Sequence, residues 1–415
     1  MTSVDVAIVG AGAAGLATAI FAKRRNERRA VVVLEGARNP GAKILVSGGS
    51  RCNVTNTVVT EHDFNGGRPA VVRRILRALP IGETVRFFDE IGIRLHDEPG
   101  GKLFPDSNRS RDVLNALLRE AARTGAEIRP SHRVRQVTRR DNGFEIETSA
   151  GRFVARALVL ATGGLSLPKS GSDGAGYGFA MALGHTIVTT TPALVPLVLD
   201  RSDDTTFDPG LTGVSQDVRL EIRIDGQIEK RIDGPLLWTH FGVSGPAALD
   251  ASRHWLRAGV NGQSAAVTAN MLGNATFDDV DAAFTREARA APRTTVRGLV
   301  ARHLPSAVAS TVLTRVRIAP DLALAGLTRD DRRRLVHALI EWPLSVSESR
   351  GYNYAEVTAG GVALPEINPA TMESRACPGL FLVGEILDVD GRLGGFNFQW
   401  AWSTAKVAGD ALGHT

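Results

Sequence analysis

The chain has only two cysteines, Cys52 and Cys377, far apart and outside any CxxC pair. That spacing excludes a disulfide framework and a structural zinc site. No HExxH occurs, and the nine histidines show no metal-ligand spacing, so no metal is expected. No apolar run reaches the length of a membrane span. The N-terminus lacks a basic stretch and a cleavage site, and its apolar residues read as a strand and a helix. A cytoplasmic protein with no membrane partner is expected. Aromatic residues make up only 6% of the chain, and no RNA-binding module is recognisable. These two absences argue against a nucleic-acid partner. The net charge of +5 and the pI near 9.5 argue for one. The basic residues, however, are dispersed. The runs at Arg73-Arg74, Arg133 to Arg140 and Arg332-Arg333-Arg334 read as solvated faces, the last two with acids beside them.

What the chain does have begins at once. Val4 to Val9 reads as a strand. Gly10-Ala11-Gly12-Ala13-Ala14-Gly15 turns into an apolar helix ending near Arg25, and a second strand, Ala30 to Leu34, closes at Glu35. This is the dinucleotide fingerprint in its full context. Gly10 permits the tight turn, and Gly12 lets backbone N–H groups reach a pyrophosphate. Gly15 lets helix and strand pack closely. The helix start around Ala14 adds partial positive charge. Glu35 can accept hydrogen bonds from a ribose 2′-OH. The fingerprint alone does not separate FAD from NAD.

The fold class expected is α/β, a Rossmann-like FAD-binding domain interrupted by a β-rich unit and a small helical unit. Residues 1–190 and 346–415 form the first domain. A helix is expected over Leu76 to Ile91, broken at Pro80-Ile81-Gly82, and another over Ser110 to Thr124. The run Arg156 to Leu160 ends in Ala161-Thr162-Gly163-Gly164, as suits a buried parallel strand delivering its end to a ligand. Residues 191–277 read as the β-rich insert, with a hairpin turn at Asp225-Gly226. Residues 278–345 read as helical, with breaks at Pro292, Pro305 and Pro320.

Two further segments carry chemistry. A strand ends at Gly384-Glu385, and after a loop holding Asp390, Gly394-Gly395 opens a helix at Phe396-Asn397. Such a helix start would face the pyrimidine edge of an isoalloxazine and raise its potential. A fingerprint at one end and a Gly-Gly helix at the other bracket one extended dinucleotide, which fits FAD better than NAD. The other segment, Gly41 to Asn56, includes Lys43, Ser47, Arg51, Cys52 and Asn53 and suits a loop laid along the cofactor. Lys43 and Arg51 can neutralise pyrophosphate or a flavin edge. Cys52 has no partner thiol and reads as structural or flavin-contacting rather than catalytic.

The chain resembles the BaiN-like, aminoacetone-oxidase-like flavoproteins, known as NAD(P)/FAD-dependent oxidoreductases. The resemblance covers nearly all of it. It rests on Gly41 to Asn56, Pro168 to Tyr177, Leu237 to Pro246, Glu356 to Val362 and, above all, Gly384 to Thr404. The chain departs from the family at Ser50, where a glycine is usual, and at Arg392-Leu393. The resemblance implies that Gly10, Gly12, Gly15 and Glu35 hold the ADP half and that Lys43, Arg51 and Asn53 line the cofactor loop. It further implies that Val134 offers backbone to adenine, that Thr162, Gly163 and Gly164 touch the ADP side, and that Asp390, Gly395, Phe396 and Asn397 touch the flavin. It places Thr239-His240 and Gly360-Gly361 toward the substrate. His240 is the acid/base candidate because imidazole titrates near neutral pH.

No second GxGxxG follows a mid-chain strand, so no separate nicotinamide domain is expected. The leading expectation is an FAD-dependent oxidoreductase of a small molecule. Hydride would move at flavin N5, with O₂, a carrier or transiently docked NAD(P)H as electron partner. The same site in reverse would reduce an activated C=C bond. The alternatives are a flavin-dependent RNA-modifying enzyme and a non-catalytic flavin sensor. The oligomeric state is not legible.

Overall fold

The computed structural model describes residues 2–200 and 208–414. Two compact units are present, one formed by residues 1–192 and 355–415, the other by 193–354.

In the first unit a mixed sheet runs in the order Glu127–Arg129, Val31–Leu34, Thr2–Val9, Gly151–Leu160, Gly143–Thr148, Val134–Arg140. The first four strands are parallel, and the last two form an antiparallel meander with their neighbour. Strand Gly151–Leu160 serves twice. Its first half pairs with the meander, and Leu158–Leu160 pair in parallel with Leu380–Leu382. The return strand therefore joins the sheet where the strand ends meet the fingerprint. Val6–Val9, Val31–Leu34 and Leu158–Leu160 are all buried, as a parallel sheet covered on both faces requires. Each such Val, Leu or Ile side chain contributes about 1.5–3 kcal/mol by leaving water.

Helix Ala13–Arg25 is buried from Ala14 through Lys23. Lys23 stays inside because its ammonium donates to the carbonyls of Glu27 and Arg29. The helix packs against the C-terminal helix Phe396–His414. A Cβ on Gly409 would stand 2.5 Å from the Phe21 Cβ, so glycine there sets the closeness of the two helices. Of the helix expected over Leu76 to Ile91, the structure forms Ile81–Glu90, so Ile81-Gly82 begin this helix, and Leu76 instead ends a separate helix, Pro69–Leu76. Pro80 has no N–H to continue Pro69–Leu76 and serves as cap to Ile81–Glu90.

In the second unit an antiparallel sheet runs in the order Trp342–Leu344, Ala265–Asn270, Ser215–Ile224, Gln227–Thr239, Gly242–Ser244, Leu197–Leu199, Val346–Ser349. Helices Phe277–Ala290, Val296–Val300, Ser306–Arg315 and Arg329–Ile340 lie in sequence before Trp342. They share one core with the sheet, where Leu220, Ile222 and Trp238 join a cluster with Phe284, Val312 and Leu335. No helix among the described residues is long and apolar enough to cross a membrane.

Candidate functional site

The fingerprint turn is closed by backbone contacts that leave no room for side chains. Gly10 has φ +105°, and a Cβ on it would lie 2.5 Å from the Ala161 carbonyl. A Cβ on Gly15 would lie 1.9 Å from the Gly10 carbonyl. Gly12 differs, because nothing stands within 4 Å of where its Cβ would be. The first intrahelical bond runs from Leu16 N–H to Gly12 O. The N–H groups of Ala13, Ala14 and Gly15 therefore have no acceptor inside the helix. No acidic residue sits in that first turn.

Glu35 is pinned across this turn. Its carboxylate accepts from Ala11 N–H and Ala37 N–H, both at 2.8 Å. One lone pair on each oxygen is left for a ligand hydroxyl. Val134 is buried at the start of its strand, and the register slips between it and Gln136, so the backbone there leaves the ladder.

The loop after Gly41 is a short helical turn from Ala42, followed by left-handed Gly48, Gly49 and Ser50 with φ of 54°, 67° and 68°. Glycine adopts such angles freely, whereas a side chain costs roughly 1 kcal/mol. This accounts for the glycine that the resemblance leads one to expect where Ser50 stands. Ser50 is exposed, so Ser50→Gly is expected to stabilise the fold by about 1 kcal/mol, read as a raised Tm with flavin content unchanged.

Lys43 donates to Glu385 Oε2 and to the Ser166 hydroxyl at 2.6 Å. Glu385 Oε1 accepts from Ser166 Oγ (2.8 Å) and Thr358 N–H (3.0 Å). Thr358 Oγ1 in turn accepts from Leu165 and Ser166 N–H. This network holds the turn Thr162-Gly163-Gly164 against Gly384-Glu385. Lys43 is thus committed to Glu385, and Arg51 to Glu98 at 2.6 Å and to the Phe104 ring at 4.0 Å. Ser47 folds back onto the Ile44 carbonyl.

Cys52 is fully buried with φ +64°. Burial pushes its thiol up to about 12, against a smaller opposing hydrogen bond from Ser47. A protonated thiol is a poor nucleophile. In the folded protein at pH 8, Cys52 is expected to resist iodoacetamide, and mass spectrometry after brief labelling reads the outcome.

The C-terminal half of the cradle is held by side-chain amides. In the amide orientation that satisfies its neighbours, Asn53 donates to Thr55 O (2.8 Å) and accepts from Gly395 N–H (3.1 Å). Asn397 clasps both N–H and C=O of Gly391 at 2.8 Å. Asp390 is buried in strand Val389–Gly391, opposite Asn65. Phe396 is buried edge-on to Phe64, and Arg392 lies over its ring at 4.1 Å while pairing with Asp63. The helix's first internal bond is Gln399 N–H to Gly395 O, which leaves the N–H groups of Phe396, Asn397 and Phe398 outward. Gly384 has φ +76°, and its Cβ would touch the Ala14 Cβ at 2.8 Å. The fingerprint helix and the return strand therefore meet at this point.

Sequence reasoning missed Gln399 and Asn56. Gln399 accepts from the Thr55 and Thr84 hydroxyls and donates to Leu79 O and Ser403. Asn56 donates to Gly394 O and Gly100 O. A glutamine amid the buried face of an apolar helix was the available signal. His240 lies in the second unit, exposed in the turn between strands Gln227–Thr239 and Gly242–Ser244, edge-on to Phe241.

These residues fit a dinucleotide. The space over Gly12, the first-turn N–H groups and the remaining Glu35 lone pairs would suit an ADP moiety, and the start of helix Phe396–His414 offers a second set of donors.

The model of the HI0933-like protein Rossmann domain matches residues 4–411. The chain is 32% identical to the 3-dehydro-bile acid delta(4,6)-reductase of Clostridium scindens, over 98% of each chain. It is also 32% identical to the ribosomal RNA dihydrouridine synthase of Escherichia coli, over 99% of this chain and 98% of that one. The crystal structure of 3-ketosteroid-delta4-(5alpha)-dehydrogenase from Rhodococcus jostii matches at 17% identity and a TM-score of 0.50, covering 99% of this chain and 97% of that one. That likeness is one of fold.

Proposed function

The chain belongs to the HI0933-like Rossmann family and is an FAD-dependent oxidoreductase; from that premise we propose that it reduces a C=C bond conjugated to a carbonyl. The observation that carries this reading is the single bracketed cradle, with Gly384 against Ala14 and no other fingerprint in the sequence. One site must then both receive and deliver the electrons. The names of the relatives agree with one chemistry. A delta(4,6)-reductase of a 3-dehydro bile acid and a dihydrouridine synthase each add two hydrogens across a C=C bond that lies next to a carbonyl.

Bound FAD would supply a hydride from N5 to the substrate's β carbon, and a proton from the acid/base candidate His240 or from water would complete the addition at the α carbon. The chain's own residues do the rest. The N–H groups of Ala13 to Gly15 bind pyrophosphate, and Glu35 orients the ribose. The Lys43–Glu385–Ser166–Thr358 network fixes the turn beside the cradle. The start of helix Phe396–His414 would favour negative charge on an isoalloxazine held there. NADH or NADPH, docking transiently, is the proposed electron source.

The test is anaerobic. The holoenzyme is given NADPH or NADH with a delta(4,6)-3-keto steroid or with ribosomal RNA lacking dihydrouridine, and products are weighed by mass spectrometry. Gain of two hydrogens in either class supports the reading. Oxidation of amines with hydrogenation of neither class overturns it. His240→Gln tests the acid/base expectation separately. A loss of about 10²-fold in kcat with flavin content intact is expected, and an unchanged kcat removes His240 from the chemistry.

A further inference from the structure

We propose that a cleft on the second unit binds the phosphodiester backbone of RNA. This rests on the reductase reading above, which leaves both a steroid and a base in RNA to be tested as substrate. The cleft has a volume of about 700 Å³ and is lined by Arg315, Arg317, Arg334, His337, Glu341 and Trp342, among others. Among the described residues Glu341 is the one carboxylate in the lining, and His337 faces it at 3.7 Å. Arg315 lies over the Trp342 ring at 4.4 Å, at the C-terminus of helix Ser306–Arg315, where it offsets the helix's own partial charge. Arg334 is held by Asp331 at 2.6 Å and by the Val316 carbonyl. The Arg317 side chain makes no ion pair among the described residues. Trp342 is 1% exposed, and its indole N–H has no hydrogen-bond partner among the described residues.

The backbone at Arg317 is the second observation. Ile318 N–H bonds Leu313 O and Arg317 N–H bonds Thr314 O, which closes the helix as a Schellman motif. Arg317 occupies its left-handed position with φ +57°. That position belongs by preference to glycine, and an arginine there is strained. A strained residue held in place points to a use for its side chain. Here the side chain is a guanidinium at an open cleft, with the planar fork that matches phosphate. No glycine and no helix N-terminus lines the cleft. Side chains alone suit a strand laid across the surface rather than a small anion enclosed by backbone donors.

The position offers a test in which binding and stability move in opposite directions. Deproteinised ribosomal RNA is titrated with holoenzyme of the wild type, Arg317→Gly and Arg317→Glu across a series of salt concentrations. Arg317→Gly is expected to bind about tenfold more weakly, with its salt slope reduced by about one, yet to melt roughly 2 °C higher. Arg317→Glu should bind more weakly still. Unchanged affinity in both variants, or no RNA retained by the wild type at low salt, overturns the proposal. Arg317-dependent binding with neither uridine nor the delta(4,6)-3-keto steroid reduced would keep the cleft and sink the reductase reading. Steroid reduction without RNA binding would do the reverse.

Discussion

Gly15→Ala should purify colourless. Its new Cβ would lie 1.9 Å from the Gly10 carbonyl, a backbone atom in a turn already closed on Ala161. Helix Ala13–Arg25 must move away from the strand it follows, at a cost of about 3 kcal/mol. The N–H groups proposed to hold the pyrophosphate move with it. Gly12→Ala separates the two effects. Gly12 has φ −82°, which any residue can adopt, and its Cβ would meet nothing. The apo protein should keep its stability within about 0.5 kcal/mol, while the methyl group occupies space assigned to the pyrophosphate. Urea denaturation of apo protein and visible absorbance per chain read both variants. If Gly12→Ala retains full flavin affinity, the cradle has been put in the wrong place.

Glu385→Ala is expected to be nearly as damaging by a different route. It removes the acceptor of Lys43, Ser166 and the Thr358 N–H together. The Lys43 and Glu385 side chains are 25% and 17% exposed, so the ammonium left behind is poorly hydrated. The expected loss is about 2–3 kcal/mol, with weaker flavin retention because the Thr162–Gly164 turn is released. Lys43→Met combined with Glu385→Ala should cost less than the sum of the two single changes by at least about 1 kcal/mol. Strict additivity in that cycle would show that the pair is not coupled.

Much of the architecture was legible because it is written in local patterns. The fingerprint fixed the first strand, helix and second strand to within a residue or two: the helix was expected from about Ala14 and runs from Ala13, and the strand expected from Ala30 starts at Val31. Pro292, Pro305 and Pro320 do fall between helices. Short polar strands such as Leu95–Glu98 and Thr55–Asn56 gave no period to read, and their partners are set by the tertiary fold. The same limit applied at the site. Fingerprint glycines announce themselves by spacing. The bond from Lys43 to Glu385 spans 342 residues and that from Gln399 to Thr55 spans 344, and no pattern within a window can encode either. Arg317 illustrates the point at the scale of one residue. An arginine after a helix reads as an ordinary basic C-terminus, and only the backbone angle sets it apart.

The contact between Gly384 and Ala14, like that between Gly409 and Phe21, also sets an order of events during synthesis. While the ribosome is still making the insert, the early strands already exist, but the wall that completes the cradle does not. On the proposed cradle, flavin capture would wait until helix Phe396–His414 has emerged and docked. Uptake of the yellow cofactor is thus a late maturation step, and nascent chains stalled before that helix should remain apo however much FAD the translation mixture contains.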